Sequence, residues 1–251
     1  MAILWNGQLL RATFFPTQAL DAEDLSDLWT IVSGGLLPEV DERRVRESFR
    51  RQGGRVDQEY YLELQIQPLR IDWFLTPASA EGESPKNDLG SFEPVLVKFM
   101  ADLSRWLETS ADVAWSRIAL GGILASPVAG HREGYQLILD LVPSLRFDLA
   151  DELSDLLYQI NRPRASKAED GLKINCLMKW SVGKQQMMNL AMPSGMPTLQ
   201  SVGHEEFFGR LELDINTAPT MGLELKKDRV QAILEELAQF ALAVAASGEL
   251  F

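Results

Sequence analysis

The sequence predicts an α+β fold in which two similar halves, each running strand, helical segment, strand pair, helix, form a largely antiparallel sheet covered by helices. Three observations carry this. Period-two alternation recurs in stretches bounded by Pro and Gly, most clearly in residues 58–76 and 171–193. Apolar residues at helical spacing close each half, in residues 92–110 and 226–247. The element order of residues 1–112 returns in residues 113–251 with one extra strand, although no residue-level repeat accompanies it. These halves are expected either as two units or as one continuous sheet.

The first half opens with QLLRATFFP, of strand composition and stopped by Pro16. DAEDLSDLWTIVSGG predicts a helix: Asp21 is a cap, acids fill the first turn and Gly34 ends it. Leu25, Leu28, Trp29 and Val32 then share one face. DERRVRESFRRQGG reads as a short basic helix or an ordered loop. In residues 57–77, Tyr60, Leu62, Leu64 and Ile66 alternate with polar neighbours; after Gln67-Pro68 the pattern resumes with Leu69, Ile71 and Trp73. Residues 77–91, rich in Pro, Ser, Gly and acids, predict a loop. Val95, Phe99, Leu103 and Trp106 make the apolar face of the helix that follows.

The second half begins with WSRIALGGILASP, a strand whose Gly121-Gly122 points to a bulge or close backbone packing. HREGYQLILDLV and LADELSDLLYQI read as helical. GLKINCLMKWSV and KQQMMNLAMP predict two strands joined at Gly183-Lys184, so residues 171–193 form an expected hairpin. PSGMPTLQSVGH reads as a loop, EEFFGRLELDIN as a strand and residues 226–247 as a long helix.

A chain of 251 residues is long enough to bury a sizeable core without disulfides or metals. Its single cysteine, Cys176, excludes an internal disulfide and a cysteine zinc cage, and two histidines exclude a His-rich metal site. No signal-peptide pattern and no run of 18 apolar residues is visible, which sets the expectation of a cytoplasmic protein outside the membrane. A net charge of −12 serves solubility, disfavours nucleic acid as a partner and would steer in a basic protein.

Catalytic patterns are scarce in the sequence. No nucleophile elbow, phosphate-cradling loop, dinucleotide fingerprint or zinc-protease helix occurs, and no cofactor or metal is predicted. Ser181 and Lys184 share a Ser-x-x-Lys spacing, but at a predicted hairpin. His131 with Glu133 fits a capping role. His204 and Glu206 can share a strand face but are too few for a metal. Cys176 reads as a buried small hydrophobe.

Two groups stand out. Residues 41–55 and 161–184 carry +3 and +4, so the remaining 212 residues carry −19; folded together, the two windows would form one positive patch. Arg44, Arg162, Arg164 and Lys179 are its candidate anion-binding residues, although salt bridges to the chain's own acids explain them as readily. Met187, Met188 and Met192 belong to a methionine-rich stretch; flexible thioethers suit a partner interface as well as a core.

The phrases LLYQINRPR and GLKINCLMKWSV, with RIDWFLTP in the first half, resemble an uncharacterised, sporadically distributed prokaryotic family of similar length. The resemblance spans most of the chain, carries no active-site residues and implies a bacterial or archaeal cytoplasmic protein in a mobile-element, toxin–antitoxin or antiviral defence setting. Taken together, the expected function is a non-catalytic protein-binding module, an accessory or antitoxin-like component acting on another, basic protein, and free to self-associate. The alternative is an enzyme or sensor that binds a phosphorylated ligand or nucleic acid through the Arg/Lys patch.

Overall fold

The structure is a computed structural model. It describes residues 3–20, 28–57, 59–78, 87–109, 113–149, 153, 155–185, 205–220, 222 and 224–248, and residues 188–191 and 198–201 as backbone only. The fold is α+β, dominated by one ten-stranded antiparallel sheet. Its strands are β1 (Asn6–Pro16), β2 (Val40–Arg44), β3 (Phe49–Val56), β4 (Tyr60–Gln67), β5 (Arg70–Pro77), β6 (Trp115–Val128), β7 (Leu157–Asn161), β8 (Arg164–Ala165), β9 (Lys173–Gln185) and β12 (Glu206–Thr217). They lie in the order β2-β3-β4-β5-β1-β6-β12-β9-β7, with β8 also on β9. The backbone pair β10 (Met188–Ala191) and β11 (Thr198–Ser201) forms a separate two-stranded ribbon. Helices are α1 (Leu28–Val32), α2 (Phe92–Thr109), α3 (His131–Leu141) and α4 (Lys227–Ser247).

Alternation sorts the sheet into two faces. Leu10, Ala12 and Phe14 of β1, Ile71, Trp73 and Leu75 of β5, Ile118, Leu120 and Leu124 of β6 and Leu211, Leu213 and Ile215 of β12 are buried and form the core with the helices. Trp106 of α2 is the centre of an aromatic cluster. Its ring lies 4.7 Å from Phe14, 5.9 Å from Trp115 and 6.0 Å from Trp73. Trp5 closes the same layer towards the C-terminal helix, donating its indole N–H to the Ala245 carbonyl (2.8 Å) beside Trp180. By length and composition α4 is apolar enough to cross a bilayer, but half of its apolar stretch is buried inside the fold.

Several expectations hold. The hairpin of β4 and β5 turns at residues 68–69, with Gln67 opposite Arg70. The strand expected over 115–127 and the helices expected over 92–110, 131–142 and 226–247 also form, the helices as Phe92–Thr109, His131–Leu141 and Lys227–Ser247. Of the predicted 21–35 helix, Leu28–Val32 is helical and residues 33–35 form a turn, residues 21–27 lying outside the described residues. The predicted 77–91 loop likewise falls largely outside them, at 79–86.

Other expectations are corrected. Residues 41–54 are neither helix nor loop but β2 and β3, joined by a 3₁₀ turn at Val45–Glu47 with Ser48 left-handed (φ 46°). Pairing of β3 with β4 decides this over local helix propensity. Residues 157–161, expected as the end of a helix, form β7. Leu157, Gln159 and Asn161 are exposed while Tyr158 and Ile160 turn inward, a period of two obscured by the acidic run before them.

The hairpin expected over 171–193 does not form. β9 runs unbroken through Gly183-Lys184 and pairs with β12 along its whole length. Gly183 serves packing rather than turning: a Cβ there would sit 2.7 Å from the Phe208 ring. The chain segments that pair as β9 and β12 pair again farther along as β10 and β11, so part of the 193–204 stretch expected as loop is strand.

The NRPR stretch is an edge strand. Partner positions across β7, Arg162 and β8 keep one register against β9, from Leu157 opposite Ser181 to Ala165 opposite Lys173. The Arg162 N–H donates to the Cys176 carbonyl (3.0 Å), so hydrogen-bonded pairs fall at even positions. Pro163, which lacks an N–H, therefore sits where the backbone nitrogen points away from β9, and it blocks further pairing at the sheet edge. Beyond it, Ser166 Oγ and the Lys167 N–H donate to the carboxylate of Glu236 on α4 (2.7 and 2.8 Å), which is only 6% exposed.

Two outcomes follow. Trp106→Ala, which empties the aromatic cluster, is expected to cost about 3–5 kcal/mol in urea unfolding. Arg50 grips Asp41 through two hydrogen bonds (3.2 and 3.0 Å) and holds its carboxyl below the ordinary value of 3.8. A depressed carboxyl stabilises the fold above its unfolded pKa and loses that contribution as pH falls through the folded one. The stability gap between wild type and Asp41→Asn is therefore expected to narrow below about pH 4 in unfolding measurements at graded pH.

Candidate functional site

The helices cover one face of the sheet; side chains at the intervening positions make the opposite, open face. Across it run Phe74 of β5, Arg11 of β1, Gly121 of β6, Asp214 of β12 and Leu177 of β9 in one register row, and Leu9, Ile123, Glu212, Lys179 and Gln159 in the next. These residues line an open trough of about 500 Å³ at the middle of the sheet. Gly121 leaves part of the trough floor bare: a Cβ built there would make ordinary contacts, 3.4 Å from the Leu213 carbonyl oxygen and 3.9 Å from Arg11 Nε.

Most charges around the trough are already engaged. Lys179 Nζ holds both oxygens of Glu212 (3.2 Å each), and Arg210 Nε lies 3.0 Å from the same carboxylate. Asn216 donates to Asp214 (2.9 Å) and accepts from Arg117 (2.8 Å) and Asn175 (3.2 Å). Arg70 Nε (2.5 Å) and Nη2 (3.0 Å) both bind Asp72, which also accepts from Thr13 Oγ1 (2.6 Å). The Arg70 and Arg117 guanidinium groups lie 5.9 and 5.4 Å from the Phe15 ring centre, leaving Thr13, Asp72 and Asn216 buried. Arg51 pairs with Glu63. Half-buried Arg11 makes no hydrogen bond or ion pair among the described residues.

The predicted anion-binding residues are not brought together. Arg44 lies exposed on edge strand β2, bound to Glu42 (2.7 Å) and 3.6 Å from Glu47. Arg162 and Arg164 stand at the far edge, eight strand spacings or roughly 38 Å along the sheet. They lie two residues apart, in register with buried Cys176 and Ile174, so both point to the helix-covered side, and both are engaged within the fold. Lys179 lies on the opposite, open face. The two basic windows therefore occupy opposite ends of the sheet rather than one patch.

Of the predicted interface methionines, Met187 and Met192 lie outside the described residues, and Met188 is described as backbone in β10. His204 is also outside them. His131 packs edge-on against Phe207 (4.9 Å), and Glu133 accepts the Ala129 N–H just ahead of α3, whose N-cap Gly130 has no side-chain cap hydrogen bond. Ser181 and Lys184 lie within β9. No group of three or more His, Cys, Asp or Glu suited to a metal occurs among the described residues. Sequence reading missed Arg11, Gly121, Glu212 and Asp214. The available signals were a single cation in the apolar run LLRATFF and a glycine pair inside a strand.

No family model matches the chain, and no curated protein matches it significantly.

Burial pushes the Cys176 thiol up to about 11; nearby Arg164 lowers it and Glu236 raises it. In the unfolded chain the thiol ionises near 8.5. A raised thiol binds its proton more tightly in the folded state, so it takes nothing from stability below about pH 8.5 and destabilises progressively from there towards pH 11. Cys176→Ala is expected to lessen the fall in stability over that range, and native Cys176 to react with a thiol reagent at pH 8 only on unfolding.

Proposed function

We propose that the chain is a non-catalytic protein-binding module that receives its partner on the open face of the sheet. The observation that carries this is the central trough, with apolar walls of Leu9, Phe74, Ile123 and Leu177 surrounded by paired charges. An apolar centre with a polar rim is the anatomy of a protein interface. The alternative, an Arg/Lys patch for phosphate or nucleic acid, has Arg44, Arg162, Arg164 and Lys179 on three separate surfaces.

The module is built from two similar halves. Outward from the β1–β6 seam the strands run β5, β4, β3, β2 on one side and β12, β9, β7 on the other, so the first side is one strand longer. In each half the first strand lies at the seam, the last strand beside it, and a long helix follows. β5 and β12 also carry the same device on the open face, an arginine paired with the acid two residues on: Arg70 with Asp72 (2.5 Å) and Arg210 with Glu212 (3.0 Å). This supports duplication, with the β10–β11 ribbon as an addition to the second half.

The resemblance to the sporadically distributed prokaryotic family, together with a net charge of −12, supports a cytoplasmic accessory or antitoxin-like role against a basic partner. The ribbon holding Met188 is a second contact surface in this reading.

Capture from a lysate of the source organism tests it. Ile123→Glu places a charge in the trough, and Val97→Glu changes an exposed site on α2. The captured partner is expected to be lost with Ile123→Glu, retained with Val97→Glu, and thermal stability kept in both. A partner retained by Ile123→Glu but lost on removing residues 188–201 would move the interface to the ribbon.

A further inference from the structure

We infer that Arg11 is the receptor for a carboxylate on the partner, which docks an extended segment carrying an acidic residue flanked by large apolar ones. This rests on the reading of the open face as the docking surface. Arg51, Arg70, Arg117, Lys179 and Arg210 share the open face, Lys179 in the trough lining itself, and each is bound to an acid or amide of the same face. Arg11, among them and half-buried, is bound to none among the described residues. A guanidinium fork matches a carboxylate through two parallel hydrogen bonds.

Gly121 leaves the floor beside the Arg11 side chain bare: Arg11 Nε lies 3.9 Å from where a Cβ would stand. A trough of about 500 Å³ holds a few side chains, and its walls of Leu9, Phe74, Ile123 and Leu177 are apolar. The ligand is therefore an acid within an apolar context. Glu212 and Asp214 line the same trough and repel a doubly charged phosphate more strongly than a single carboxylate. Asp214, held among the described residues by Asn216 alone, faces the partner from two strands away and suits a basic side chain. A basic partner with one buried acidic anchor satisfies both the local site and the net charge of −12.

Peptides selected on the wild-type protein from a displayed library of random peptides test the assignment, with affinities measured by fluorescence polarisation. Selected sequences are expected to share an acidic residue beside large apolar ones. Binding is expected to fall about 10- to 100-fold with Arg11→Gln, as for loss of a charged hydrogen-bonded pair, and by a similar factor when the peptide's acid becomes its amide. The two changes together should cost little more than either alone, and Arg11→Lys should restore part of the affinity. Gly121→Val, which raises a branched side chain from the trough floor beside Arg11, should weaken binding at least about 10-fold while thermal melting stays near wild type. Peptides lost with Gly121→Val or Ile123→Glu but indifferent to Arg11→Gln overturn the carboxylate assignment and leave the open-face reading standing. Peptides indifferent to all three variants, or no selected peptide at all, overturn both.

Discussion

The antiparallel ladder between β1 and β6 is the constraint on which the rest of the molecule depends. It runs from Asn6 opposite Ala125 to Pro16 opposite Trp115, with register shifts near both ends. Without it the strands before residue 78 and those after residue 114 would be two smaller sheets, each with a new edge. With it, one side of the seam presents Leu10, Ala12 and Phe14 to the helices and the other presents Leu9, Arg11 and Thr13 to the open face. Core and candidate site are thus two faces of the same strands, set by a period of two.

The ends of the sheet are managed differently from its centre. At one edge β2 carries Asp41, Glu42, Arg43 and Arg44, charges that discourage another strand from pairing. At the other, Pro163 interrupts the outward backbone donors, and Glu236 of α4 binds the backbone and hydroxyl just beyond it. Glu236 is the buried member of this contact; Ser166 is half-buried and Lys167 exposed. The basic NRPRASK stretch is accordingly a structural edge, tied to the helix layer.

On the open face, charge is used mostly in pairs. Cross-strand and i,i+2 pairs such as Lys179–Glu212 and Arg70–Asp72 keep a large half-polar surface in water without leaving a field of one sign. The trough interrupts this pattern at one place, where a glycine replaces a side chain and an arginine lacks a partner among the described residues. A mixed face of this kind favours selective contact over the long-range attraction of a single-sign patch.

The sequence by itself determined the class of the fold, the β4–β5 hairpin, strand β6 and helices α2, α3 and α4, because each has a period carried by its own residues. Tertiary structure decided the rest. Residues 41–54 and 157–161 are strands because neighbouring strands supply their hydrogen bonds, a term no local pattern contains. Gly183 looked like a turn and is a contact with Phe208, 25 residues away in sequence. The basic windows looked like one patch, but strand order sends them to opposite edges, and the one-residue alternation of strands sends Arg162 and Lys179 to opposite faces. Arg11 and Gly121 were each visible as oddities of composition. Only the β1–β6 register, joining residues 110 positions apart, sets one beside the other and makes them a site.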